Sequence, residues 1–322
     1  MDGTVLGVDK TINLGEMYLT STVLKNQALL RNDTGESHIF FSPSFLHGKS
    51  DFETYNAFFS QIASQFTDEE IENMVVGSDE ETAIRKSLRR SFPGVTQIVC
   101  TLHLKKNVTD YLKNMVGVNV QDRKSVLNTL FGDEGITQAD NSVVLDERIK
   151  HATDIISEKA SGFQPYFEKR MLPILKDHVN YPSRVKNVDA HWTNNNAESV
   201  NNIMKIGTNW KQKNISDLID ILQSIVSSQY KDAKRALIEF GRGNFKLASS
   251  YMHHRVSIDA WCQETETEQQ AIFRKFFKDK GITKLTVRST NGKITIPKTP
   301  SGGKNPHQRK RMRAERSQTR TK

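Results

Sequence analysis

Apolar and polar positions alternate over residues 3–31, in the runs TVLGV, MYLTSTVL and ALL, with Gly7 and Gly15 as punctuation. Val, Thr, Tyr and Leu at period two predict two or three strands, antiparallel to one another. SPSFLHG at 42–48 reads as a loop. From Asp51 to Phe66 the period changes, because Phe52, Tyr55, Phe58 or Phe59, Ile62 and Phe66 share one helical face. MVV at 74–76 predicts a short buried strand, and GSDEE after it opens a helix. Ser78 and Glu81 have the spacing of a capping box there, with Ala83, Ile84 and Leu88 on the apolar face. SFPG at 91–94 ends that helix. TQIVCTLHL at 96–104 predicts the next strand and KKNVTDYLKNMV the next helix. Strand–helix–strand–helix over 74–116 is the pattern of a parallel α/β unit.

Beyond residue 116 the strand signal stops. RKSVLNTLF, VLDERIKHATDIISEKA and FQPYFEKRMLPILKDHV carry helical periodicity and predict an all-helical insertion over 117–190. Helices resume at 195–206, 215–240 and 265–279. LTVRST and KITIPK flank Asn291-Gly292, a pair suited to a type I′ turn, so 285–298 predicts a hairpin. There are no internal repeats. The chain thus divides into 1–116 and 191–250 as two parts of one α/β core, the insertion at 117–190, an extension at 251–300 and a tail at 301–322.

Composition narrows the setting. With 322 residues, 36% hydrophobic and 26% charged, the chain can bury one large core or two smaller ones. No run approaches the roughly 18 apolar residues of a membrane span, and MDGTVLGVDK lacks the form of a signal peptide. Two cysteines, Cys100 and Cys262, point to a reducing intracellular compartment rather than a disulfide framework. Eight basic residues and one acid lie between Lys304 and Lys322, so the tail carries +7 of the net +9 and the body only +2. The tail segment QRKRMRAER, with Arg309, Lys310, Arg311 and Arg313, suits phosphate contacts or a nuclear-import signal. A solvated end is its ordinary alternative.

Three acids fall at element boundaries. Asp9 closes the apolar strand TVLGV, Asp79 follows MVV, and Glu198 lies in the first turn of the helix opened by NNNAESVNNIMKI. Two acids at strand ends and one on a crossing helix can converge. Carboxylate oxygens are the hard ligands that Mg²⁺ takes, and a pair of ions ~3.5–4 Å apart supports in-line phosphoryl displacement. Each acid also has a plain structural role open to it: a turn residue for Asp9, the positive helix end for Asp79, a capping-box partner of Asn195 for Glu198.

GVDKTINLG at 7–15, VVGSDEETAIRKSLRRSFPGVTQIVCTLHLKKNV at 75–108 and TNNNAESVNNIMK at 193–205 together resemble the Mutator-like element transposases. The resemblance spans roughly 1–250 and is most specific in its middle block. It implies a ribonuclease H-like fold, a mixed sheet with flanking helices, in which Asp9, Asp79 and Glu198 hold Mg²⁺ or Mn²⁺, two ions. It also implies cleavage and rejoining of double-stranded DNA at transposon ends, by a homo-oligomer in the nucleus, with no membrane partner. His103 matches the histidine of the family's Cys-x-x-His, and would contact the scissile phosphate or stabilise the leaving group; a buried structural histidine is the alternative. Such transposases commonly carry zinc-bearing modules on either side of the core. No Cys-rich segment stands at either end here, so the chain is expected to be part of a longer reading frame or to lack end recognition. Two other functions stay open: a catalytically inactive DNA-binding scaffold derived from a transposase, and a general nuclease on the same fold.

Further side chains join this expectation. Asn195 and Asn202, at −3 and +4 from Glu198, share its face and could orient the carboxylate or touch a phosphate, while Ala197, Val200 and Met204 form the apolar stripe opposite. Lys105 and Lys106 could reach the DNA backbone. Cys100 and His103 make half a zinc site, to which His253 and His254 would add two ligands; a core position is the plainer role for Cys100. Trp192 and Trp210, flanking the Glu198 helix, are expected in the core.

Overall fold

The structure, a computed structural model, describes residues 5–11, 17–241, 243–279, 288–290 and 293–295. Its centre is a six-stranded mixed sheet. β1 (Val5–Thr11), β2 (Tyr18–Arg31) and β3 (Ser37–His47) form an antiparallel meander, and β4 (Val75–Ser78) and β5 (Thr96–Val99) extend it in parallel, in the order β3-β2-β1-β4-β5. A sixth strand, β6 (Phe245–Leu247), pairs with the far end of β2.

Helices cover both faces. On one side α1 (Phe52–Ala63), α2 (Asp68–Asn73) and α3 (Thr82–Ser91) bury Tyr55, Phe58, Phe59, Ile71, Ile84 and Leu88 around Val8 and Val76. The other side receives helices from later in the chain. Between them stand α4 (Thr101–Tyr111), α5 (Val120–Phe131) and α6 (Ser142–Lys159). They are followed by the short segments α7 (Gln164–Tyr166), α8 (Leu172–Leu175) and α9 (Tyr181–Lys186). The last three are joined by π-helical turns at Phe167–Met171 and Lys176–Asn180. Each of those turns ends two residues before a proline, Pro173 or Pro182, whose missing N–H displaces the regular i to i−4 bonds. The predicted helical insertion is therefore present, and its core (Leu130, Ile136, Ile156, Phe163, Phe167, Leu175) is continuous with Leu104, Val108 and Leu112 of α4 and its continuation.

α10 (Asn195–Gly207) and α11 (Ile215–Ile238) complete the second face. Ala197, Val200 and Met204 of α10 pack with Leu19, Val23 and Phe41, as their spacing predicts. α12 (Ile258–Gln263) and α13 (Glu266–Lys278) close an aromatic cluster around Trp261, Phe273 and Phe276. Residues 1–280 form one compact unit and 281–322 a second. In the second, β7 (Arg288–Thr290) and β8 (Lys293–Thr295) pair antiparallel, as the hairpin prediction requires; its Asn291-Gly292 turn and the basic tail lie outside the described residues.

Several local expectations are corrected. Residues 42–47 are the end of β3 rather than a loop. Pro43 is tolerated because β3 is an edge strand, and the register slips beside it between Ser21 and Val23. Strand β5 stops at Val99, not at residue 104: the spacing of Thr101, Leu104 and Val108 is helical, and all three are buried on one face of α4. Ser78 and Glu81 form no capping box; the Ser78 hydroxyl donates to the Asp79 carbonyl, while Glu81 takes the Tyr55 hydroxyl and pairs with Lys10 at 2.8 Å. Strand β6 and helices α2 and α12 carried too short a pattern to be read beforehand.

Two glycines set how closely the second face is covered. Gly7 and Gly77 are partners across the β1–β4 ladder. A β-carbon on Gly77 would fall 2.3 Å from the Trp192 ring, and one on Gly7 2.9 Å from Val23 and 3.2 Å from the Asn194 amide oxygen. Replacing Gly77 with alanine should therefore lever Trp192 off the sheet. We expect a loss of ~1–3 kcal/mol in denaturant unfolding, as for other overpacked sites, with a shifted tryptophan emission; an unchanged midpoint and spectrum would contradict this packing.

Candidate active site

The parallel ladder between β1 and β4 ends at the pair Val8 and Ser78. The next residues are Asp9 and Asp79, close enough for the charge of Asp79 to act on Asp9; Asp79 follows the end of β4, whereas Asp9 does not close its strand as expected, because β1 runs on to Thr11 by pairing with β2. The carboxyl ends of parallel strands are the edge at which open α/β sheets bind ligands. β5 follows the same register, with Val99 opposite Ser78 and the Cys100 N–H donating to the Ser78 carbonyl at 3.1 Å. α4 starts there, and His103 in its first turn lies beside Asp79.

The third acid arrives from far along the chain, and the entry to α10 is tied down at three points. The Thr101 N–H and hydroxyl both donate to the Trp192 carbonyl at 3.0 Å, the Asn194 N–H donates to Cys100 Sγ at 3.4 Å, and the Asn194 side-chain amide donates to the Val8 carbonyl at 3.1 Å. One turn on, Glu198 projects toward the strand ends. His103 bridges the acids: its Nδ1 lies 2.8 Å from Asp79 Oδ1 and its Nε2 3.9 Å from Glu198 Oε1. Asn201, a further turn along, donates to Asp9 Oδ2 at 2.6 Å and accepts from the Thr11 hydroxyl. Asp9, Asp79, His103 and Glu198 are thus brought together from four separate stretches of sequence.

Two neighbouring amides join the cluster, while Asn195 and Asn202 face solvent, where a phosphate contact is open to them. The residues that touch β1 are Asn194 and Asn201, both buried. The spacing 194–198–201 lies on one helical face as surely as 195–198–202; packing against Gly7 and Asp9 decided between them. Glu198 is not a capping-box acid either, because the cap is Asn194, one residue earlier than that role requires. Lys105 and Lys106 are exposed on α4. Trp192 is half-buried over Gly77, but Trp210 is 67% exposed, with Lys205 over its ring, and is no core residue. Arg309, Lys310, Arg311 and Arg313 lie outside the described residues.

Electrostatics mark the cluster as strained. Burial, reinforced by the charge of Asp79, raises the Asp9 carboxyl to about 7 against the hydrogen bonds from Lys10 and Asn201; Glu198 adds to the rise. Burial also raises Asp79, partly offset by His103, while Glu198 again pushes upward. Among the described residues, nine buried side-chain atoms lack a hydrogen-bond partner, and four belong here: Ser21 Oγ opposite Asp9, Asp79 Oδ1, His103 Nδ1 and Asn194 Oδ1. The His103–Asp79 contact is close without being aligned as a hydrogen bond. Asp79 Oδ1 is the one carboxylate oxygen among these atoms, and it lies 2.8 Å from His103 Nδ1; a divalent cation beside it would offset the desolvation and the charge of the neighbouring acids.

Two ligand sets overlap at Asp79. Its carboxylate, Cys100 Sγ and a His103 nitrogen all lie within 4.8 Å of one another, whereas the three carboxylates are spaced more widely. Burial raises the Cys100 thiol. His253 and His254 group with Asp279 and not with Cys100, so the four-ligand zinc site does not form.

One contact that the sequence did not foretell links this edge to the insertion. Glu80, buried next to Asp79, takes Arg170 at 2.6 and 2.9 Å and the Asn107 amide at 2.9 Å. Arg170 sits on the π-helical turn Phe167–Met171, so the insertion clamps the loop that carries Asp79. In comparisons of the sequence, no family model and no curated protein matches this chain.

Two predictions follow from these contacts. Arg170→Ala leaves the Glu80 carboxylate buried without its cation and should cost ~1–3 kcal/mol, read as a lower midpoint in urea. For Asp9, the folded carboxyl near 7 exceeds the unfolded value of about 3.9. The folded chain therefore holds the extra proton between those values, and its stability falls as pH rises through about 7. Asp9→Asn should then stabilise the cation-free chain at pH 8 by something of order 1–3 kcal/mol, since solvent at the open edge screens part of the shift. The gain should shrink toward pH 5; a gain that is constant with pH would refute the raised carboxyl.

Proposed function

We propose that this chain is the catalytic core of a DNA transposase resembling the Mutator-like kind, on a ribonuclease H-like fold. In this reading it hydrolyses a phosphodiester at a transposon end and transfers the freed 3′-hydroxyl to target DNA, as a homo-oligomer in the nucleus. The observation that carries the reading is the β1–β4 register, which sets Asp9 beside Asp79 where α10 delivers Glu198.

Asp9, Asp79 and Glu198 would hold Mg²⁺ or Mn²⁺. Bound there, such ions supply Lewis-acid stabilisation of the leaving oxygen and lower the pKa of a coordinated water. Asn201 fixes the Asp9 carboxylate by its 2.6 Å bond, and Asn194 fixes the start of α10 on the Val8 carbonyl. His103, with Nδ1 at Asp79, can hold or give a proton at Nε2 toward the strand-facing side. Lys105 and Lys106, exposed one turn further along α4, and the tail residues Arg309, Lys310, Arg311 and Arg313 would neutralise DNA phosphates, so binding should weaken steeply with salt.

Plasmid nicking with Mg²⁺ or Mn²⁺ tests this. Asp79→Asn and Glu198→Gln should each reduce it by ~10³-fold or more, and Asn201→Ala should raise the cation concentration needed by about 10–100-fold, as loss of an outer-shell partner does. Joining of a 3′-hydroxyl end to a second duplex separates a transposase from a nuclease. DNA binding with neither cutting nor joining under any of these cations would overturn the catalytic reading in favour of a scaffold.

A further inference from the structure

A second cluster lies apart from the acids, at the end of the C-terminal helices. β6 leads into a 3₁₀ turn at Ser249–His254, and Asp279 caps the carboxyl end of α13. His253 Nε2 lies 2.7 Å and His254 Nε2 2.5 Å from the same atom, Asp279 Oδ2. We infer that His253, His254 and Asp279 form a binding site for a borderline divalent cation of the zinc class, with solvent in the remaining position.

Geometry is the first support. Successive side chains on a 3₁₀ turn point about 120° apart, yet these two imidazoles converge on one oxygen with ring centroids 4.2 Å apart. Such convergence is costly for a surface ion pair, which returns ~0–1 kcal/mol. Two nitrogens and one carboxylate oxygen around a point are three of the four ligands of a tetrahedral ion.

Electrostatics is the second. Asp279 places a carboxylate at the negative end of α13, where the helix dipole disfavours it. A divalent cation held on that carboxylate brings positive charge to the helix end, the favourable sign. The donors also select the ion: imidazole suits zinc-class cations, whereas Mg²⁺ prefers oxygen. Metal–ligand bonds of ~2.0–2.2 Å at tetrahedral angles separate ligand atoms by ~3.3 Å, so both contacts would open slightly. His253, 40% exposed, has room to move, while His254, 9% exposed, is held with its ring edge-on to Phe276 at 5.5 Å. Bound metal would tie the 3₁₀ turn to the end of α13 and lock the aromatic cluster of Trp261, Phe273 and Phe276.

The test uses the full chain, titrated with Zn²⁺ in millimolar Mg²⁺ while the imidazole ¹⁵N resonances are followed. One equivalent should shift the Nε2 signals of His253 and His254 together and raise Tm by a few degrees at ~100-fold excess over Kd. Co²⁺ should give a tetrahedral visible spectrum that Zn²⁺ abolishes. Asp279→Asn, which keeps the side-chain shape, should weaken that equivalent by at least about tenfold, and an Asp79→Asn, Glu198→Gln chain should retain it. Unmoved His253 and His254 resonances after one equivalent, or Zn²⁺ affinity unaffected by Asp279→Asn, would overturn the assignment.

Discussion

The register of two parallel strands governs this molecule. Val8 opposite Ser78 brings Asp9 and Asp79, the residues that follow, to the same edge of the sheet. Acids so placed, and partly withdrawn from water, are unfavourable: burial and the charge of Asp79 raise the Asp9 carboxyl, and burial and the charge of Glu198 raise that of Asp79 against the opposing effect of His103. Such an arrangement persists only because the surrounding structure holds it. The core of α1 and α3 behind Val8 and Val76 fixes the strands, and the bonds from Asn201 and Lys10 fix the Asp9 carboxylate.

Covering that edge required a bare patch of sheet. Gly7 and Gly77, paired across the ladder, let Trp192 and Asn194 lie against backbone. From that anchorage α10 runs over Leu19, Val23 and Phe41 with its apolar stripe inward, and Glu198 emerges one turn beyond the cap. The site and the second sheet face are therefore one construction: the contacts that bury Ala197 and Val200 also aim the third carboxylate. The insertion takes part through Arg170, which satisfies Glu80 immediately after Asp79. A helical segment far from the sheet in sequence thus braces the loop on which the acid cluster depends.

Charge is distributed in two different chemistries. At the sheet edge the donors are carboxylate oxygens around one histidine, open on the side where Glu198 is 45% exposed. At the end of α13 they are two imidazoles on one carboxylate. Hard and borderline cations are sorted by such donor sets, so the proposed roles of the two clusters call for different ions.

The sequence alone determined what repeats over short distances. Period-two alternation gave the antiparallel strands β1 and β2, helical spacing gave α1, α3, α10, α11 and the insertion, and the strand–helix–strand pattern gave the α/β class. Asp9, Asp79 and Glu198 stood out in the sequence as acids near element boundaries, and the charges of Asp79 and Glu198 both act on Asp9 in the fold. Tertiary structure decided what depends on a partner. Residues 42–47 became strand because β2 was there to pair with them. Residues 101–104 became helix because Leu104 and Val108 had the insertion to pack against. Asn194 and Asn201, not Asn195 and Asn202, became the supporting amides, because only contact with β1 distinguishes two faces that helical spacing leaves equivalent. Spacing along a chain fixes which residues can share a face; what that face meets is settled by packing between segments far apart in sequence, as Thr11 and Asn201 are, 190 residues from one another.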